Sequence, residues 1–110
     1  MAGKFELYKD KAGEFRFRLK AGNGETLLTG EGYKSKDAAL NGIESVKKNA
    51  ADPARFEAKQ AKNGNPYFVL KAANHQVIGQ SEVYSSAAAC DSGMSAVAKA
   101  VSGASIDEQA

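Results

Sequence analysis

The sequence predicts an α+β fold: two tandem β-β-β-α units, related by a pseudo-twofold, that share one antiparallel sheet with both helices on one face. Three observations carry that expectation. Laying the chain on itself at a constant offset places Leu19-Lys20-Ala21-Gly22-Asn23 on Leu70-Lys71-Ala72-Ala73-Asn74, an internal repeat. Without a gap, the same offset places Phe5 on Phe56, Phe17 on Phe68, Tyr33 on Tyr84, Gly42 on Gly93 and Val46 on Val97. Within each copy, short stretches alternate apolar and polar residues between turn formers, the period of half-buried strands. Each copy then closes on a serine followed by apolar residues at helical spacing.

The first unit, residues 4–50, opens on Lys4-Phe5-Glu6-Leu7-Tyr8-Lys9, a strand that turns Phe5 and Leu7 to one face. Gly13 supplies the turn. Phe15-Arg16-Phe17-Arg18-Leu19-Lys20 is the clearest strand, with Phe15, Phe17 and Leu19 facing one way and Arg16, Arg18 and Lys20 the other. Gly22-Asn23-Gly24-Glu25 is a hairpin signal, because Asn-Gly tolerates the positive φ of a primed turn. Thr26 to Thr29 completes a three-stranded meander. Ser35 is the N-cap of a helix reaching about Asn49, with Asp37 suiting its dipole and Ala39, Ile43 and Val46 forming one stripe. Pro53 disfavours a helical Asp52 and marks the boundary between units.

The second unit, residues 55–101, repeats the plan. Its strands are Arg55 to Ala61, Tyr67 to Lys71 and Gln76 to Gly79. Its helix follows Ser86, with Cys90, Met94, Val97 and Val101 on one stripe. Residues 102–110 lack a partner in the repeat and are expected to fray. Either unit alone is close to the size at which a domain becomes marginal, so residues 1–110 are expected to form one domain. Its core should hold Phe5, Leu7, Phe15, Phe17, Leu19, Leu27, Ile43 and Val46, with Phe56, Phe68, Leu70, Ile78, Met94 and Val97. Gly42 and Gly93 fall mid-helix, where glycine costs about 1 kcal/mol against alanine. Their retention in both copies points to close approach of each helix to the sheet or to its twin.

Composition bounds the function. With 43% hydrophobic and 25% charged residues, the chain has the make-up of a soluble globular protein. No apolar run approaches the roughly 20 residues that span a bilayer, and no signal-peptide or myristoylation pattern is visible. A lone Cys90 excludes an internal disulfide and fits the cytoplasm; its place on a helical stripe predicts a small buried residue. A net charge of +2, gathered mostly in the first unit, is too small to require a polyanionic partner.

Catalytic and cofactor motifs are missing: there is no phosphate-binding loop, dinucleotide fingerprint, metal-spaced Cys or His pair, or nucleophile elbow. His75 replaces Gly24 at a hairpin tip, a solvated turn position rather than that of a general base. Glu6, Glu57, Glu31 and Glu82 recur, but Glu6 and Glu57 are expected to face solvent, with nothing to make them converge. An enzyme is therefore not expected, nor any cofactor or metal.

Two surfaces remain. The sheet face away from the helices should carry Glu6, Tyr8, Arg16, Arg18, Lys20, Thr26 and Leu28, with Glu57, Lys59, Tyr67, Val69, Lys71 and Val77. Its arginines with Tyr8 and Tyr67 could contact phosphates and stack bases, whereas Tyr67, Val69 and Val77 are apolar enough to seat a protein. The second surface is the loop pair Lys20, Asn23, Lys71, Asn74 and His75, approached by Tyr33 and Tyr84, whose amides and lysines suit a small anion.

The doubled Leu-Lys-Ala-x-Asn pattern at Leu19–Asn23 and Leu70–Asn74, followed by a short strand, a tyrosine and a serine-capped helix, resembles the YegP-like family of small bacterial proteins built on a domain of unknown function. The resemblance spans about Phe5 to Val101. It implies β-β-β-α units that join into one sheet and can exchange a terminal strand, a tandem chain doing alone what single-unit relatives do by dimerising. It implies no activity and no catalytic residues. The expected role is a non-enzymatic binding or protein-interaction module, a monomer of pseudo-dimer architecture with no membrane partner. The alternative is a weak single-stranded nucleic-acid binder acting through the open sheet face.

Overall fold

Residues 3–109 are described by a computed structural model. Along them run β1 (Lys4–Lys9), β2 (Phe15–Lys20), β3 (Thr26–Gly30), α1 (Lys36–Asn49), a 3-10 turn (Pro53–Arg55), β4 (Phe56–Gln60), β5 (Pro66–Lys71), β6 (Val77–Gln80), α2 (Ala87–Val101) and β7 (Ser105–Glu108). One seven-stranded sheet joins them in the order β4-β5-β6-β3-β2-β1-β7. The meanders β1-β2-β3 and β4-β5-β6 meet through an antiparallel β3–β6 pair, Thr29 opposite Gln80 and Gly30 opposite Gly79. Both helices feed the same apolar cluster as the strands, so the units share one core.

The sheet departs from the expected all-antiparallel ladder at one edge. The C-terminal segment, expected to fray, forms β7 and pairs in parallel with β1, Ile106 beside Phe5 and Glu108 beside Leu7. Gly103, at a φ of 74°, turns the chain out of α2 toward this edge. The strand forms because the outer edge of β1 offers unpaired backbone groups and two bare apolar side chains. With β7 in place, Phe5 and Leu7 are fully buried and the Gln109 amide donates to the Leu7 carbonyl at 2.7 Å. Lys4 and Lys36 meet Asp107 and Glu108 beside it.

Ser35 and Ser86 cap the helices, each hydroxyl accepting from the amide three residues on at 3.1 Å. The hairpins are built differently from the primed turns that Asn-Gly predicts. In each, three residues bridge a closing pair, as Ala21 accepts from Gly24 and donates to Glu25. Gly24 alone takes positive φ, while Asn23 accepts from the Glu25 amide at 3.0 Å. The same geometry recurs at Gly13 and Gly64, and at His75, whose φ of 69° puts a side chain in the left-handed region. That conformation costs a non-glycine residue about 1–2 kcal/mol. His75→Gly is therefore expected to raise the thermal midpoint by a few degrees, the relief outweighing glycine's extra unfolded-state entropy. An unchanged or lower midpoint would refute the strain.

Most of the expected core is buried: Phe5, Leu7, Phe17, Leu19, Leu27, Ile43 and Val46, then Phe68, Leu70, Ile78 and Val97. Phe15, Phe56 and Met94 are only half-buried. Phe15 begins β2 beneath the Lys9 ammonium, and Phe56 and Met94 border an open hollow. Leu28, expected on the open face, is fully buried, because a register shift after Leu19 sets it opposite Leu19 on the core side. Its side chain lies where a Cβ on Gly79 would stand. Cys90 is buried on α2 and burial pushes its thiol up, the inert residue expected.

Gly42 and Gly93 do serve close approach. What presses on them is a tyrosine from the loop before each helix, not the twin helix. A Cβ on Gly42 would lie 2.5 Å from the Tyr33 hydroxyl, and one on Gly93 would lie 2.6 Å from Tyr84 Cζ. The tyrosines lie flat on Phe17 and Phe68, at centroid distances of 6.2 and 6.1 Å.

Candidate functional site

The open sheet face is an ion-pair surface. Glu6, expected to face solvent, is 5% exposed beneath three cations: Arg18 Nε at 2.7 Å, Lys20 Nζ at 3.4 Å and Lys4 Nζ at 3.6 Å. Arg18 lies over the Tyr8 ring at 4.4 Å, and Arg16 Nε donates to Asp10 at 2.7 Å. The Arg18 hydrogen bond holds the Glu6 carboxyl below its ordinary value, and the Arg16 hydrogen bond does the same for Asp10. In the second unit, Glu57 takes Lys71 at 3.0 Å and Lys59 at 3.2 Å, which lower its pKa likewise. The arginines and the second-unit lysines of this face are thus already engaged. Val69, expected as an exposed anchor, is 3% exposed among its neighbours, and Tyr67 and Val77 are half-buried.

Glu6 yields a test of sign. A carboxyl whose folded pKa is depressed contributes stability above its unfolded value, and that stability is lost as pH falls through the folded value. Glu6→Gln should therefore flatten the loss of unfolding free energy below about pH 4.5, with Asp10 and Glu57 still contributing. Urea melts across that range read it. Parallel curves for variant and parent would show that Glu6 carries no folded-state pairing.

The expected anion site at the loop pair does not assemble. Lys20 and Lys71 turn to Glu6 and Glu57, and Asn23 and Asn74 spend their side-chain oxygens on the Glu25 and Gln76 amides. Tyr33 pairs with Phe15, at the far end of β2 from Lys20. Besides its neighbours Glu31 and Gly32, the residues that line a surface cleft with it are Gln76, Val77 and Ile78 of the other unit. Tyr84 correspondingly feels Glu25 of the first unit. Sequence offset pairs each tyrosine with its own unit, whereas the β3–β6 junction brings the opposite hairpin to it. His75 is exposed on its hairpin and Cys90 is buried on α2, so the two do not meet.

A different site emerges at the other end of the sheet. An apolar hollow of about 270 Å³ lies between α2 and the start of β4, lined mainly by Ala50, Pro53, Phe56, Met94 and Ala98, with Asp91 on its rim. Its counterpart in the first unit is covered. There Ile106 of β7 lies beside Phe5, and the Lys47 ammonium stands 5.8 Å over the Phe5 ring. Ala98 occupies the position of Lys47 in the repeat, and Asp91 that of Leu40, so the second unit leaves Phe56 open. Sequence reasoning missed this site while carrying its signal: a covering lysine in one copy and an alanine in the other.

The chain is similar to known proteins over its whole length. The pattern of a domain of unknown function, DUF1508, matches residues 10–57 and again 61–108. A Pseudomonas aeruginosa protein named UPF0339 protein PA0329 is 50% identical over 109 residues, 99% of each chain. UPF0339 protein YegP of Escherichia coli K12 is 54% identical over 97 residues, 88% of each chain. The solution NMR structure of the E. coli protein yegP, described as of unknown function, superposes with a TM-score of 0.93 at 48% identity, covering 99% of this chain and 94% of that one.

Proposed function

The chain belongs to the DUF1508 family, whose domain it carries twice, and from that premise we propose that it is a small, non-enzymatic protein-interaction module. One observation carries the reading: the hollow beside Phe56 is apolar, open, and formed by the same positions that the first unit covers. Its natural occupant is an aliphatic side chain of a protein partner, since burying one there removes apolar surface on both sides from water.

The ionisable groups support a role without proton chemistry. Glu6, Asp10 and Glu57 are pushed toward permanent ionisation by their partners, while burial pushes Tyr33, Tyr84 and Cys90 toward staying neutral. All six move away from neutral pH, where a general acid or base has to work. Pairing of Arg16 with Asp10 and of Arg18 with Glu6 likewise favours protein over nucleic acid, because a phosphate would have to displace a carboxylate already in place.

The test is a pair of titrations on the intact chain. Isobutanol followed by amide NMR should shift resonances around Phe56, Met94 and Ala98 first, and Ala98→Lys, which copies Lys47 at an exposed position, should abolish that preference. Labelled single-stranded DNA and RNA should not bind at low salt, where electrostatic binding is strongest. Shifts scattered over the surface, or salt-sensitive nucleic-acid binding, would overturn the proposal.

A further inference from the structure

Among the described residues the sheet ends on β4 at one side and, at the other, on β7 laid along β1. Residues Phe5 and Leu7 of β1 correspond in the repeat to Phe56 and Ala58 of β4. The first pair is fully buried because β7 lies alongside; Phe56 is half-buried and Ala58 exposed. Backbone direction follows the same logic. Ala61 donates to Asn65 at the end of the β4–β5 hairpin, so by antiparallel alternation Lys59 and Glu57 bond to β5. Ala58, between them, therefore points its N–H and C=O away from the sheet. On β1 the corresponding Leu7 points its carbonyl outward and takes the Gln109 amide of β7.

Resting on the interaction reading above, we propose that the edge of β4 accepts an extended segment of a partner protein as a parallel strand, with a branched aliphatic side chain seated beside Phe56 in the hollow. The chain supplies its own template, since Ser105–Glu108 does this at β1 and places Ile106 beside Phe5. Main-chain bonding supplies affinity in such strand addition, and a pocket for an alternate side chain supplies selectivity.

A second copy of the chain is the poorer occupant. Each copy has two such edges and one β7, and that strand is already bound to its own β1. Moving it to a neighbour's β4 would open one edge to close another, with no net gain in pairing. Intramolecular β7 also holds its site at high effective concentration. The occupant proposed is therefore a segment of a different protein.

The probe is the capped peptide Ala-Ser-Ile-Asp-Glu-Gln, the sequence of residues 104–109, titrated into the full-length protein and followed by amide NMR and hydrogen exchange. Saturable shifts are expected along 56–60 and at Met94 and Ala98, with slowed exchange at the Ala58 amide. A peptide with aspartate in place of isoleucine should bind at least tenfold more weakly. So should the parent peptide on Ala98→Lys, which plugs the hollow, and on Ala58→Pro, which removes the outward N–H and leaves the bonds to β5 in place. If Ala98→Lys weakens binding but Ala58→Pro and the Ala58 exchange rate are without effect, strand addition is overturned and the apolar interaction site stands. If the peptide leaves the hollow untouched while isobutanol still finds it, strand addition alone is likewise overturned; if neither finds it, both readings fall. Shifts confined to β1 and β7 would mean displacement of the native strand, and peptide-independent dimerisation through β4 would make the occupant a second copy; either overturns the proposal.

Discussion

Replacing Gly93 by leucine is expected to destabilise the fold by about 3 kcal/mol, the upper range of overpacking, lowering the thermal midpoint by about 10 °C or more. Two effects compete. Removing a mid-helix glycine recovers about 1 kcal/mol of helix propensity. Against that, even a Cβ would overlap Tyr84, at 2.6 Å from Cζ and closer still to the hydroxyl. Shifting Tyr84 would disturb its packing: its ring lies 6.1 Å from that of Phe68, and its amide donates to the Pro66 carbonyl at 2.7 Å. The overlap therefore wins. A double-mutant cycle isolates the cause: Gly93→Ala and Tyr84→Ala together should cost less than the sum of the two alone, by about 1 kcal/mol or more. Additive losses in chemical denaturation would show that the glycine serves something other than this tyrosine.

Ending the chain after Ser102 is expected to cost about 3 kcal/mol, much of it from burial lost at Phe5 and Leu7. Both are fully buried with β7 alongside, and Ile106 packs against the core that holds Phe5. The truncated protein would also present a second open edge, with outward backbone groups flanked by large apolar side chains, the kind that pairs between molecules. Lower stability should thus come with concentration-dependent association, read by urea melts and light scattering. Ile106→Ala, which keeps the strand but trims its half-buried side chain, should cost less than half as much. A truncation as stable and monodisperse as the parent would mean that β7 lies on the sheet without supporting it.

Most of the secondary structure was legible because each element announces itself within a few residues. Phe15 to Lys20 alternates with period two, Ser35 and Ser86 cap from the first turn, and glycine or histidine marks every hairpin. Most of the core followed from the same patterns, except that Phe15, Phe56 and Met94 are only half-buried and Val69 is buried. The pattern also failed at Leu28, where one shift after Leu19 moves the side chain to the other face. The open face was legible as a set of residues but not as a surface. That Glu6 sits under Arg18, Lys20 and Lys4 depends on the register of the β1–β2 hairpin, which sets Glu6 opposite Arg18 and next to the paired Lys4 and Lys20.

The sequence by itself determined the doubled unit, its meanders and capped helices, and which side chains are apolar, since all of these rest on local periodicity and on comparing the chain with itself. Tertiary structure alone decided where β7 goes, which hairpin comes beside each tyrosine, and that one of two equivalent phenylalanines is left open. Ser105–Glu108 has no partner within its own half, and its pairing with β1 spans nearly the whole chain. Equivalent strands in a repeat become different once β7 lies along β1 and no described strand lies along β4, because burial depends on what lies alongside a residue as well as on the residue itself.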